Sequence, residues 1–252
     1  LRTRLAAGGL LASDGVRLVH GEADGLPGLV VDRYADVLSA QFLSAGVERW
    51  RDVILDKLCA ITGCTRVFER SDASVRGLEG LPQRTGWLRG AQEQGGNTDL
   101  VITEHGRRLG LDVALGHKTG YYLDQRDNRQ RFAELVRQLS CQRVLNCYSY
   151  TGGFSVAALA GGAKHVTSVD SSGPALDQAR RNIALNGLDL DACEFADADV
   201  NQYLRNALQT GQQFDAIVLD PPKFAPSAAH ADRASRAYKD INRLALKLLE
   251  PG

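Results

Sequence analysis

The sequence predicts an α/β protein in which a small α+β domain precedes a parallel sheet covered by helices. Up to about residue 112, short β-branched and aromatic runs alternate with turn residues, which is typical of hairpins. After Gly116 the runs are separated by segments of helical length, the pattern of a parallel sheet with crossover helices. We therefore divide the chain into a linker remnant at 1–13, a small α+β domain at 14–115 and an α/β domain at 116–252.

The small domain contains one predicted helix among its strands. Hairpin strands are predicted in the runs VRLVHGE, GLVVDRYADVLSAQFL and DLVITEHGRRLGLDV. The run VERWRDVILDKLCAIT predicts a helix, with Gly63 as its C-terminal stop. The residues at helical spacing in this run are Trp50, Val53, Ile54, Lys57, Leu58 and Ile61.

Four strands are predicted in the second domain, in the runs RVLNCYS, HVTSVDSS, ACEFADA and FDAIVLDPP. A parallel sheet that ended at the fourth strand would leave unpaired backbone groups along it, so we expect the natural sheet to continue beyond Gly252. The predicted helices start near Asp127, Gly153, Pro174 and Asp199, and a last one runs from about Ala229 to Leu249.

The composition is that of a soluble globular protein. Hydrophobic residues make up 44% and charged residues 24% of the 252 residues. There is neither an apolar run of about 18 residues nor a secretory signal, so we expect a cytoplasmic protein without membrane association. Five scattered Cys residues without metal-ligand spacing predict reduced thiols and no metal site. Since 30 basic residues balance 30 acidic ones, any affinity for nucleic acid must come from a local patch or from a missing domain, and not from net charge.

The strongest local motif is VLNCYSYTGGF, in which an apolar strand breaks into a glycine turn and a helix. Glycines let the backbone approach a ligand closely, although the TGG spacing is not that of a dinucleotide fingerprint, and a plain tight turn would explain it equally well. Asp170 ends the next strand about 20 residues on, where an acid accepts hydrogen bonds from ribose hydroxyls. The turn and the acid together favour a nucleotide-like ligand.

Two further acids follow the third and fourth strands. Asp197 could meet an adenine amino group at the same crevice, or it could be the N-cap of the following helix, since Asp is a favoured cap. Asp220 precedes Pro221 and Pro222, which force an extended exit from the strand. Open α/β folds bind ligands at this edge of the sheet, so we interpret the run DPPKF as a substrate-reading motif.

Together these motifs resemble those of the Rossmann-like class I S-adenosylmethionine-dependent methyltransferases. The run KTGYYLDQR, from Lys118 to Arg126, and the run GLPGLVVDRYADVL are similar to segments of the bacterial 23S ribosomal RNA cytosine-5 methyltransferases, so the resemblance covers nearly the whole chain. It implies S-adenosyl-L-methionine as cofactor and ribosomal RNA as partner. The residues expected at the cofactor are Gln125, Arg126, Asn146, Tyr148, Thr151, Gly152, Gly153, Asp170, Asp197 and Asp220.

The resemblance also implies a reaction. Enzymes of this family are thought to add a Cys thiolate to carbon 6 of cytosine, which activates carbon 5 for methylation. Asp220 would be catalytic, by hydrogen-bonding the edge of the cytosine. Pro221, Pro222, Lys223 and Phe224 would contact the substrate, with Lys223 at a phosphate.

The sequence departs from the family pattern at its two ends. The family's N-terminal RNA-binding PUA domain has no counterpart here, and the family's nucleophilic Cys follows the fifth strand, so we expect it beyond Gly252. Cys147 is disfavoured as a substitute, because a Cys on a buried strand is usually a small core hydrophobe.

A basic cluster lies close in sequence to the cofactor motifs. Lys118, Arg126, Arg129 and Arg131 would either track RNA phosphates or form a solvated helix face beside Glu134.

Two other functions stay open. Amino-group methyltransferases that act on purines typically carry Asn or Asp-Pro-Pro followed directly by an aromatic residue, whereas here Lys223 intervenes before Phe224. A non-catalytic RNA-binding scaffold is disfavoured by the intact acids. The sequence leaves the oligomeric state open, a homodimer included.

Overall fold

The computed structural model describes residues 13–90, 96–225 and 231–250. The chain folds into two units, Leu1–Arg126 and Asp127–Gly252. The predicted linker remnant, apart from Ser13, and the predicted helix start near Ala229 lie outside the described residues.

The first unit is built on a five-stranded sheet in the order β1-β2-β3-β4-β5. Successive pairs are antiparallel, as hairpins require, except that β3 and β4 are parallel because helices connect them. β6 (Asp99–Glu104) and β7 (Arg107–Asp112) form a separate antiparallel hairpin. The sheet strands are β1 (Gly15–His20), β2 (Leu29–Tyr34), β3 (Val37–Phe42), β4 (Arg66–Ser71) and β5 (Arg84–Arg89).

The helix predicted in this unit forms, and it buries part of the predicted set of residues. It ends at Gly63, whose φ of 73° places it in the left-handed region that glycine tolerates. Leu58 faces the core, as does Leu55, which the predicted spacing did not include. Trp50 and Val53 are at least half exposed, so the predicted spacing located the helix and only part of its buried face. The helices are α1 (Ala45–Arg49), α2 (Arg51–Thr62) and α3 (Val75–Leu78), with 3-10 turns at Gly21–Asp24 and Leu123–Gln125.

The division between the units falls later than Gly116 because the following residues are bonded into the first sheet. Ser39 Oγ donates to the carbonyl of Thr119 at 2.7 Å, and the amide of Tyr121 donates to Tyr34 Oη at 3.1 Å. Burial raises the pKa of Tyr34, so its hydroxyl stays protonated in this contact.

The second unit contains the predicted parallel sheet, in the order β10-β9-β8-β11. The predicted strands and helix starts agree closely with the structure. The strands are β8 (Arg143–Cys147), β9 (His165–Asp170), β10 (Cys193–Asp197) and β11 (Ala216–Leu219). The helices are α4 (Arg126–Gln138), α5 (Gly153–Gly161), α6 (Gly173–Leu185), α7 (Val200–Gln209) and α8 (Ala231–Leu248).

Helices α7 and α8 pack together over β8 and share one apolar core with it. Burying these side chains is the main stabilising contribution, at about 25 cal/mol per Å² of apolar surface. The core residues are Leu145, Cys147, Val169, Val200, Leu204, Ala207, Phe214, Ile241, Leu244 and Leu248.

Helix α8 runs antiparallel to the strands. At its C-terminal end, the amide of Phe214, just before β11, donates to the carbonyl of Leu248 at 2.9 Å. In its first half, Tyr238 bonds to residues that follow β11. The start of α8 therefore lies at the carboxyl edge of the sheet and its end at the amino edge.

Candidate active site

The candidate site lies at the carboxyl edge of the parallel sheet. Cys147 on β8 is the register partner of Val169 on β9 and of Leu219 on β11, and Asp170 is the partner of Asp197 on β10. Because parallel strands end at the same edge, the structure brings the glycine turn, both acids and the DPPKF run together there, as the sequence analysis expects.

The turn after β8 has an unusual backbone. Tyr148, Tyr150 and Gly152 have φ values of 56°, 48° and 74°, so three residues within five are left-handed. Two of them are non-glycine residues that pay a steric cost for this conformation, which persists only where surrounding contacts impose it. Gly152 is required for a second reason as well, because a Cβ there would lie 2.6 Å from that of Ala179.

Several hydrogen bonds hold this turn. The amide of Ser149 donates to the carbonyl of Val169 at 3.0 Å, and the amide of Gly152 donates to the carbonyl of Ser149 at 2.9 Å. From α6, the buried side-chain amide of Asn182 donates to the carbonyl of Thr151 at 2.9 Å. Asn182 was missed by the sequence analysis, because nothing in a helical run marks one Asn as a support for a distant turn.

Two buried hydroxyl groups in the turn are left without partners among the described residues. Ser149 Oγ and Thr151 Oγ1 are both inaccessible to solvent and accept or donate no hydrogen bond there. Buried polar groups are nearly always paired, so unpaired hydroxyls suggest a missing polar partner. Together with the acids at this edge, they fit a ligand with several hydroxyl and amino groups, such as the nucleoside part of S-adenosylmethionine.

Asp170 braces the turn and still has capacity for a ligand. Its Oδ2 accepts from the amide of Tyr150 at 2.8 Å and its Oδ1 from the amide of Ser172 at 3.0 Å. A carboxylate offers about four lone-pair sites, so about two stay available to ribose hydroxyls. The side chain is half-buried, which keeps it accessible from the edge of the sheet.

Asp197 is exposed and is not the N-cap of the following helix. That role belongs to Asp199, whose Oδ1 accepts from the amide of Gln202 at 2.9 Å. A Cβ added at Gly173, the first residue of α6, would lie 3.1 Å from Asp197 Oδ2. The carboxylate is therefore next to a helix N-terminus, where negative charge is favoured, and its other side faces solvent.

The DPPKF run leaves β11 with Asp220 exposed, followed by half-buried Pro221 and exposed Pro222 and Lys223. Tyr238 on α8 holds this loop through two hydrogen bonds. Its hydroxyl donates to the carbonyl of Pro222 at 3.2 Å and accepts from the amide of Phe224 at 3.2 Å. Tyr238 was also missed by the sequence analysis, since it lies in a helix well after the motif.

Aromatic rings connect the loop to the glycine turn. The ring of Phe224 lies 4.6 Å from that of Tyr238 and 6.3 Å from that of Tyr148, centroid to centroid. Both separations fall in the range of favourable aromatic pairs. Phe224 thus links the glycine turn, through Tyr148, to α8, through Tyr238.

Two residues of β8 lie below the turn. The side-chain amide of Asn146 is buried and donates to Ser155 Oγ at 2.9 Å, which shares a hydrogen with Ser168 Oγ at 2.7 Å. Cys147 has no exposed surface, and burial raises the pKa of its thiol to about 12. A thiol with that pKa is protonated near neutrality, so Cys147 has the properties of a core residue.

The residues taken from the KTGYYLDQR run lie in the first unit. Gln125 ends a 3-10 turn and Arg126 begins α4, and their assignment to the cofactor stays a prediction.

The basic cluster is not a single exposed surface: Arg129 is only 3% exposed, and Arg131 forms an ion pair with Glu134 at 3.3 Å. Arg131 therefore fits a solvated helix face better than a site that binds RNA phosphates.

Within the residues that the structure describes, no group of three or more His, Cys, Asp or Glu side chains is arranged to hold a metal ion. None of the helices described there is long and apolar enough to cross a membrane.

The model of the S-adenosylmethionine-dependent methyltransferase family matches residues 83–252, more than half of the chain. Proteins named Ribosomal RNA large subunit methyltransferase I are 51% identical in Aeromonas salmonicida and 52% identical in Aeromonas hydrophila. Each alignment covers 94% of this chain and 59% of the relative, so the chain spans about three fifths of the length of these relatives.

Two solved structures are similar over nearly the whole chain. A protein from Streptococcus mutans, proposed to be a SAM-dependent methyltransferase, is 26% identical with a TM-score of 0.79, over 95% of this chain and 59% of that one. A second, proposed to be a methyltransferase and complexed with SAH, is 25% identical with a TM-score of 0.82, over 99% and 62%. The Rossmann-like fold is confirmed, and the chain belongs to the S-adenosylmethionine-dependent methyltransferase family.

Proposed function

We propose that the full-length protein transfers a methyl group from S-adenosylmethionine to carbon 5 of a cytosine in large-subunit ribosomal RNA. The observation that carries the proposal is the convergence of Asp170, Asp197 and Asp220 at one edge of the sheet. The RNA is proposed from the relatives named Ribosomal RNA large subunit methyltransferase I, and carbon 5 from the resemblance carried by the DPPKF run.

The cofactor would lie over the glycine turn. Asp170 would accept hydrogen bonds from the ribose hydroxyls and Asp197 one from the adenine amino group, since both carboxylates end neighbouring strands. The unpaired hydroxyls of Ser149 and Thr151 would find partners in the ligand. When bound, S-adenosylmethionine supplies an electrophilic methyl group.

The cytosine would lie against Asp220, which is exposed immediately after β11. A carboxylate in this place stabilises positive charge that develops on the activated ring. Tyr238 would keep the loop in position through Pro222 and Phe224. The exposed Lys223 would contact a neighbouring phosphate.

The nucleophile of the proposed reaction is a Cys thiolate. Its addition to carbon 6 makes carbon 5 electron-rich, and after methylation the carbon 5 proton is removed and the thiolate is eliminated. The buried, protonated Cys147 does not fit this role. From the family resemblance, we propose a Cys outside residues 1–252 as the nucleophile.

The test is methylation of a 23S ribosomal RNA transcript by the full-length protein, followed by nucleoside mass spectrometry. We expect 5-methylcytosine, and a transcript that contains 5-fluorocytosine should trap a covalent adduct, because fluorine does not leave as a proton does. A methyl group on an exocyclic nitrogen or on a purine would overturn the carbon 5 assignment and favour an amino-group methyltransferase. Absence of S-adenosylmethionine binding in isothermal titration would instead indicate a non-catalytic scaffold.

A further inference from the structure

The outer face of α8 carries an excess of positive charge. Five basic side chains on this helix are exposed. At 3.6 residues per turn, all of them except Arg233 fall on the side away from the core residues Ile241 and Leu248. We name this set the basic stripe. It consists of Arg233, Arg236, Lys239, Arg243 and Lys247.

Among the described residues, most of this charge has no carboxylate partner. Arg243 pairs with Asp240 at 2.8 Å, and Asp240 also binds Arg205 of α7. Within residues 13–90, 96–225 and 231–250, the other four cations of the stripe form no ion pair with a carboxylate. Some exposed arginines on other helices of the second unit do form an ion pair, such as Arg180 with Asp177 at 3.2 Å, whereas Arg181 bonds instead to the side chain of Gln178.

The stripe begins beside the candidate substrate loop. Tyr238, which lies between Arg236 and Lys239 in sequence, bonds to Pro222 and Phe224. Since α8 then runs to the amino edge of the sheet, the stripe extends away from the loop. From Arg233 to Lys247 it spans about 21 Å at 1.5 Å per residue.

We propose that the basic stripe binds the phosphate backbone of the RNA strand that leads away from the target nucleotide. This rests on the proposed function. A row of five cations, four of them without a carboxylate partner among the described residues, complements a polyanion in a chain whose net charge is zero. Phosphate contacts of this kind position a nucleic acid without reading its sequence. The stripe would be the local patch that the sequence analysis names as one source of affinity for nucleic acid.

The test compares two variants of the full-length protein. The stripe variant carries Arg233→Gln, Arg236→Gln, Lys239→Gln and Lys247→Gln, and leaves Arg243 with its partner Asp240. The control variant also removes four exposed cations of the second unit, away from α8. Its substitutions are Arg137→Gln, Lys164→Gln, Arg180→Gln and Arg181→Gln.

Affinity for a fluorescent 23S ribosomal RNA fragment is measured by anisotropy from low to high salt. We expect the stripe variant to bind at least about tenfold more weakly at 0.1 M salt, with a log–log salt slope shallower by about 0.7 for each lost contact to single-stranded RNA. Its dissociation constant for S-adenosylmethionine should equal that of the wild type, which shows that the site is folded.

The outcomes separate this proposal from the proposed function. If the wild type methylates RNA but the stripe variant binds RNA with the affinity and salt slope of the control variant, the stripe proposal is overturned and the function stands. If the wild type binds RNA through the stripe but gives no methylated product, the proposed function is overturned and the stripe proposal is retained. If the wild type binds no RNA, both are overturned.

Discussion

Asp170 and Asp197 are register partners at the ends of the parallel strands β9 and β10, yet they differ in what else they do. Asp170 accepts two backbone hydrogen bonds that brace the glycine turn, whereas Asp197 is exposed and leaves the capping of α7 to Asp199. Removing Asp170 should therefore affect both the fold and the ligand, and removing Asp197 the ligand alone.

For Asp170→Ala we expect the dissociation constant for S-adenosylmethionine to rise about tenfold or more, since a hydrogen bond to a charged group is worth roughly 1.5–3 kcal/mol. The amides of Tyr150 and Ser172 also lose their acceptor, so the free energy of unfolding should fall. Isothermal titration and urea unfolding measure the two effects. Asp177→Ala, an exposed acid on α6, is the control, and an unchanged dissociation constant would remove Asp170 from the site.

Asp197→Ala and Asp199→Ala should show opposite effects. The first should weaken cofactor binding and leave the unfolding midpoint nearly unchanged. The second removes a helix cap and should cost about 1 kcal/mol of stability while leaving cofactor binding intact. Isothermal titration and urea unfolding check both variants. A stability loss confined to Asp197→Ala would show that Asp197, and not Asp199, caps the helix.

Gly152→Ala should destabilise the second unit in two separable ways. The left-handed backbone costs a non-glycine residue roughly 1–2 kcal/mol, and the new Cβ would overlap that of Ala179. Adding Ala179→Gly removes the overlap but not the backbone cost, so urea unfolding of the double variant should show partial recovery beyond the cost of Ala179→Gly alone. Full recovery would mean that the backbone at Gly152 imposes no strain.

Tyr238→Phe keeps the ring against Phe224 and removes the hydroxyl that binds Pro222 and Phe224. We expect kcat/KM for RNA to fall several-fold, because the DPPKF loop loses the two hydrogen bonds that hold it to α8. Cofactor affinity should stay unchanged. The matched control is Tyr203→Phe, whose hydroxyl donates to Gln212 at 3.4 Å away from the loop. Equal effects of the two variants on RNA methylation would contradict a positioning role.

Burial of Cys147 should make stability depend on pH in the alkaline range. The thiol pKa is raised from 9.0 to about 12, so between these values the unfolded chain has released a proton that the folded chain retains. The free energy of unfolding therefore falls as pH rises above about 9, and Cys147→Ala lacks this contribution. The difference between wild type and variant in urea unfolding should shrink from pH 7 to pH 10.5. Loss of RNA methylation in a folded Cys147→Ala variant would contradict the core role.

The parallel sheet could be predicted because strand ends and helix starts are marked locally, by an apolar run, a turn residue and a cap. The convergence of Asp170, Asp197 and the DPPKF run follows from strand direction alone. The sequence could not decide whether Asp197 caps α7 or meets the adenine, and the backbone geometry gives the cap to Asp199.

What was missed depends on contacts between distant residues. Asn182 and Tyr238 lie in amphipathic helices, where their type fits the helix and nothing in the neighbouring residues indicates a distant partner. The buried face of α2 was only partly predicted for a related reason: Trp50 and Val53 have helical spacing but are exposed, whereas Leu55, outside the predicted set, is buried.

The bond from Asn182 to the carbonyl of Thr151 fastens the glycine turn to the third turn of α6. Proteins open locally in cooperative segments, so the turn and this part of α6 should open as one. The rate of amide hydrogen exchange along α6 should then depend on whether a ligand occupies the glycine turn. A ligand that holds the turn closed should slow the exchange of helix amides that it does not touch.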